Sequence, residues 1–108
     1  MVVYISGAIT GTTDYMDRFC NAATKLRRAG FDRIINPAKQ LSVLPEETTP
    51  HETYMELALG FLSVADVIVL LDGWQQSKGC LEEVAYAKHF GKLILELKDM
   101  TDDEEFNT

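Results

Sequence analysis

Along this chain, continuously apolar runs rich in β-branched residues alternate with stretches in which apolar positions recur every three or four residues. Runs of the first kind mark strands buried on both faces of a parallel sheet, and stretches of the second kind mark helices laid against it. Val2-Val-Tyr-Ile-Ser6 reads as the first strand. It ends in Gly7-Ala-Ile-Thr-Gly11, whose glycines permit a tight turn and close approach of backbone to a ligand. Phe19, Ala22, Ala23, Leu26 and Ala29 then define a helix that Gly30 stops, with Arg18, Lys25, Arg27 and Arg28 mostly off its apolar face. Arg33-Ile-Ile-Asn36 is a short second strand halted at Pro37. Ala38 to Pro50 reads as a loop of about a dozen residues, a length often used to cover a site.

From His51 to Ala65 the positions Tyr54, Leu57, Ala58, Phe61, Leu62 and Ala65 predict a second helix, followed by a third strand over 66–71. A third helix is expected from Ser77 to Phe90. Gly91 ends it before a fourth strand, Lys92-Leu-Ile-Leu-Glu-Leu97. Residues 1–98 thus form one domain, and the acidic, aperiodic segment 99–108 is expected to be poorly ordered or a docking extension. With right-handed crossovers this alternation predicts an α/β three-layer sandwich of flavodoxin-like or half-Rossmann type. Its parallel sheet has four strands, at most five, in the order 2-1-3-4. Such a sheet binds ligands beyond the carboxyl ends of its strands, here in a crevice between strands 1 and 3 where the loops after Ser6 and Leu71 meet.

Charge and length narrow the function. A formal net charge of −7 over 108 residues argues against a nucleic-acid duplex or a membrane surface as partner, because both are gripped by clustered Lys and Arg. Backbone N–H groups can still hold a small anion. No apolar stretch approaches the ~20 residues of a membrane span, and no basic-then-hydrophobic leader opens the chain, so the expected location is cytoplasmic. Cys20 and Cys80 lack metal-site spacing and read as reduced thiols, with Cys80 packing against the sheet. Neither a metal nor a cofactor is expected, and nothing in the loops calls for a flavin.

The chemistry concentrates in Leu71-Asp-Gly-Trp-Gln-Gln-Ser-Lys-Gly-Cys-Leu-Glu-Glu83, which joins a strand to a helix through a glycine-bearing turn. Ser77 can cap the helix. At 100° per residue Glu83 lies about 60° from the buried stripe at Cys80, and Glu82 about 160° away, so Glu83 borders the sheet while Glu82 faces water. The plain alternative makes both carboxylates surface groups that complement the helix dipole. Trp74 could stack on a base, or pack under the loop or at a subunit contact. Asp72 could protonate a leaving group or simply shape the turn, and Asp66 reads as structural. His51 reads as a solvated residue ahead of the second helix, His89 as a dipole partner.

Taken together, Tyr4-Ile-Ser-Gly-Ala-Ile-Thr-Gly11, the Phe19…Leu26…Gly30 helix, Ile35-Asn-Pro-Ala38 and Asp72 to Glu83 followed by Tyr86-Ala-Lys and Gly91 resemble the nucleoside 2-deoxyribosyltransferase superfamily. The likeness is to a small branch common in bacteria and phages. It covers residues 2 to about 97 and implies a nucleoside, nucleotide or nucleotide-derived ligand. It also implies cleavage of an N-glycosidic bond by hydrolysis or 2-deoxyribosyl transfer, and a homodimer or larger homo-oligomer. Glu83 then matches the family nucleophile, with Ser77 at the family spacing six residues earlier, and Tyr4 the tyrosine beside it. Asp72 is a further catalytic candidate. Ser6, Gly7, Ile9, Thr10, Gly11, Trp74, Ser77 and Gly79 are the ligand-binding candidates. One departure stands out. The family places an acid eight residues before the Asp of the third strand, and here that position is Ala58. The phosphate-binding Ser and Arg of the nucleotide hydrolases are replaced by Ala8 and Thr10. These departures support a rival reading, a protein that binds a nucleotide-derived signal with little or no turnover.

Overall fold

A computed structural model describes residues 1–100. Four strands, β1 (Val2–Ser6), β2 (Arg33–Ile35), β3 (Val67–Leu70) and β4 (Leu93–Glu96), form one sheet in the order β2-β1-β3-β4. All three pairings are parallel, with Val3 beside Ile34 on one side and Val67 on the other, and Val67 beside Leu93. The helices are α1 (Tyr15–Arg28), α2 (Pro37–Gln40), α3 (His51–Ser63) and α4 (Lys78–His89), with short 3-10 turns at Trp74–Gln76 and Leu97–Met100. The architecture is the expected flavodoxin-like three-layer sandwich with four strands.

The two central strands are buried on both faces, and their alternation divides the core in two. Val3, Ile5, Val67, Val69 and Leu71 pack against Phe19, Ala22, Ala23 and Leu26 of α1. Tyr4, Ile68 and Leu70 face Ala58 and Leu62 of α3 and Val84 and Ala87 of α4. Apolar burial at roughly 25 cal/mol per Å² makes these two layers the main source of stability.

The segment after β2 differs from the expected loop. Pro37 opens α2 instead of simply halting the strand: Asn36 caps the helix, its side chain accepting from Lys39 N at 3.2 Å, and Pro37 takes the first helical position, where its missing N–H costs nothing. The helix buries Pro37 and Ala38, and Leu41, Leu44 and Thr49 of the following segment line a common cleft with Tyr54 and Met55 of α3. Ser77 caps α4 as expected, accepting from Cys80 N at 3.2 Å.

At the amino edge of the sheet, Asp66 accepts from Val2 N at 2.8 Å, the structural role expected of it. Lys92 Nζ donates to the carbonyls of Ser63 and Ala65 at the end of α3, at 3.1 and 2.6 Å. Leu97 and Met100 pack at the border of the α1 core, so the chain is still structured past residue 98. The rest of the acidic segment, 101–108, lies outside the described residues. Among the described residues no helix is long and apolar enough to cross a membrane.

Candidate active site

The alternation of β1 that sends Val3 and Ile5 toward α1 sends Tyr4 and Ser6 toward α4, where they meet Glu83. Glu83 is only 6 % exposed. Ser6 Oγ donates to Glu83 Oε1 at 2.7 Å, and the Tyr4 hydroxyl donates to Oε2. Both carboxylate oxygens therefore hold a hydroxyl donor, an arrangement matched to the ionised form. Burial nevertheless pushes the Glu83 carboxyl up to about 7, against the lowering effect of the Tyr4 and Ser6 hydrogen bonds and with a smaller upward push from Glu82. Burial, then the Glu83 charge, raises the Tyr4 phenol. The Cys80 thiol is also raised, chiefly by burial, which makes it a packed side chain and not a reactive thiolate.

This carboxylate lies at the floor of a cleft of about 430 Å³, a size suited to a small molecule. The β1–α1 turn supplies Gly7, Ile9, Thr10 and Gly11, and the first turn of α4 supplies Ser77, Gly79 and Cys80. Gly7 is required by close approach: a Cβ there would stand 2.8 Å from Leu71 Cδ1 and 3.1 Å from Phe19 Cε1. Arg18 Nη2 holds the turn by donating to Ala8 O at 2.8 Å, while its Nε pairs with Asp14 Oδ1 at 3.3 Å without hydrogen-bond geometry.

The structure thus gathers Glu83, Tyr4, Ser6, Gly7, Ile9, Thr10, Gly11, Ser77 and Gly79 around one cleft. Ser6 sits behind the carboxylate as its partner instead of lining the ligand space. Asp72 and Trp74 are not brought there. Asp72 is exposed on its turn, and Trp74 packs against the α3–α4 core while its Nε1 donates to Glu96 Oε1 of β4 at 3.1 Å. That bond carries the turn after β3 toward β4, and the cleft lies between the β1–α1 turn and the first turns of α4 and extends over the β2 side to Pro37 and Ala38. Its far wall is made by Leu41 and Leu44 from the 41–50 segment and by Tyr54, Met55 and Ala58 on α3.

Sequence reasoning did not place His51 here, yet it lines the cleft mouth, with Nε2 3.5 Å from Glu82 Oε2. The available signal was the spacing of His51, Met55 and Ala58, which puts them on one face of α3. Among the described residues no group of three His, Cys, Asp or Glu side chains could hold a metal ion.

Fold and site together define a class: an α/β protein that sets a buried carboxylate at the carboxyl edge of a parallel sheet, beneath an open cleft. Residues 1–96 match the family model described as a domain of unknown function, DUF4406, and the chain belongs to that family. No match is found among curated proteins.

Proposed function

We propose that the chain is an N-glycosidic-bond enzyme acting on a nucleoside or nucleotide, as a hydrolase or 2-deoxyribosyltransferase, with Glu83 as nucleophile. The observation that carries this reading is the Glu83 carboxylate, buried at the cleft floor with one hydroxyl donor on each oxygen. Tyr4 and Ser6 hold it in one orientation, so that a sugar C1′ in the cleft meets a fixed oxygen. Attack forms a glycosyl ester and expels the base, and water or a second base then opens the ester, in the manner of a retaining glycosidase. A carboxyl titrating near 7 gains the ionised, nucleophilic form as pH rises through that value, so base release should climb along an acid limb near neutrality.

The test is incubation with a panel of ribo- and deoxyribonucleosides and their 5′-monophosphates, reading free base by chromatography and protein mass for a covalent adduct. Free base with a sugar adduct abolished by Glu83→Gln is the expected result. Tight binding of an intact ligand with no base released would instead establish a sequestering protein. The observation favouring that second reading is Ala58, which lines the cleft where the superfamily acid would stand. The reading also includes a homo-oligomer, supported by Leu57 and Val64 of the α3 segment, which are 42 % and 64 % exposed. Light scattering at micromolar concentration should return at least twice the 12.1 kDa chain mass.

A further inference from the structure

Accepting the N-glycosidic reading, the cleft has a nucleophile but no acid beside it to help the base leave. A purine or pyrimidine expelled as an anion is a poor leaving group, so a proton must reach it as the C1′–N bond breaks. Ala58 carries none. Among the described residues, the only carboxylates in the lining are Glu83, committed to attack, and Glu46 on the exposed 41–50 segment. Among the described residues the lining contains no Lys or Arg.

Beside the phenols of Tyr15 and Tyr54, the described lining holds the imidazole of His51, the side chain most often used for proton transfer, and three observations favour it. It lines the same cleft as Glu83. It lies on the Ala58 face of α3, two turns or about 10 Å nearer the helix start. Its Nε2 is 3.5 Å from Glu82, the neighbour in sequence of the nucleophile, and both side chains are roughly half exposed, at 46 % and 41 %. With Nε2 turned to a carboxylate, Nδ1 is the nitrogen left to meet a ligand. The two side chains come from α3 and α4, which approach closely here: a Cβ on Gly79 would stand 3.4 Å from Met55 Sδ.

We infer that His51 is the catalytic acid that protonates the departing base, with Glu82 as its positioning residue. In the first step a Glu83 oxygen bonds to C1′ while the C1′–N bond breaks. The electron pair of that bond goes to the base nitrogen, and the His51 proton goes to the base, which leaves neutral. In the second step neutral His51 takes a proton from water as the water oxygen bonds to C1′, and the ester C–O bond breaks to return the Glu83 carboxylate. The acid has moved from the middle of α3 to its amino end, which places the base at the cleft mouth and the sugar at the floor.

The experiment compares two nucleosides of one sugar: an ordinary purine nucleoside, whose base needs a proton to leave, and its N7-methylated form, whose base is already cationic and needs none. His51→Gln and, as a second variant, His51→Asn should lose on the order of 10²–10⁴ in kcat/KM on the first and only a few-fold on the second. Glu82→Gln should show a smaller loss with the same substrate preference. Equal losses on both nucleosides in variants with wild-type melting curves, or no loss on either, would overturn the assignment of His51 while leaving Glu83 in its role. Failure of the wild-type protein to release base from either nucleoside would overturn the N-glycosidic reading, and this inference with it.

Discussion

The two faces of β1 are built from one five-residue strand, yet they do opposite things. Toward α1 it presents Val3 and Ile5, which join an entirely apolar buried cluster with Phe19, Ala22 and Leu26. Toward α4 it presents Tyr4 and Ser6, which enclose the buried carboxylate of Glu83 among Ala58, Leu62 and Val84. The α1 face holds the molecule together. The α4 face gives up part of that stability, because an ionised group withdrawn from water is costly even when hydrogen-bonded. A period of two along a strand is enough to keep the cost of chemistry out of the layer that maintains the fold.

On the proposed reading, the sharpest way to break this division is Glu83→Gln, which should lower base release at least ~10³-fold. Glu82→Gln should lose far less, and equal loss in the two would erase the distinction between the sheet-facing and cleft-mouth acids. On the other face, Leu26→Ala should cost about 2–5 kcal/mol in urea unfolding while activity per folded molecule is unchanged. Activity falling in fully folded Leu26→Ala would show that the faces are coupled.

The third test is pH. Burial raises Glu83 from 4.5 unfolded to about 7 folded, so between those values the native state keeps a proton that the unfolded chain has released. Stability from this group is therefore present in full below about 4.5, falls as pH rises and levels off above about 7, a change of about 3 kcal/mol at most. Glu83→Gln should remove that slope and be more stable than wild type at pH 8, as melting across pH 5–8 would read. A flat wild-type profile would count against a buried carboxyl. The smallest effect belongs to Trp74→Phe, which removes the bond to Glu96 at about 1 kcal/mol and should leave base release within two-fold of wild type.

What the sequence made legible follows from the range of the interactions involved. Continuous runs such as Val67–Leu70 and the helical spacing of Phe19, Ala22 and Leu26 are local signals, and they sufficed for the strand order and for the elements on each face. The helical wheel separated Glu83 from Glu82 because burial of a helix face is also local. Pro37 misled because the same residue that stops a strand starts a helix, and Asn36 before it was the overlooked cap. Trp74 and Asp72 stand in the turn that looked most chemical, but the turn's direction depends on Glu96, 22 residues from Trp74. The cleft wall at Leu41, Leu44 and His51 depends likewise on where a 10-residue connection comes to rest between α2 and α3, which no periodicity encodes.

The polar fasteners at the opposite edge of the sheet also bear on motion. Asp66 on Val2 N, Lys92 on two carbonyls and Leu93 N on Asp66 O at 3.1 Å tie β1, β3, β4 and the end of α3 into one rigid rim. At the carboxyl edge Leu71 N on Ser6 O at 2.9 Å and Trp74 Nε1 on Glu96 Oε1 at 3.1 Å also join the strands, but there the connecting segments frame an open cleft. Local opening is therefore expected in the connecting segments that frame the cleft, with the fastened rim as its pivot. Amide hydrogen exchange should run fastest through the segments that frame the mouth and slowest beside Val67, so the cleft can open without loosening the sheet beneath it.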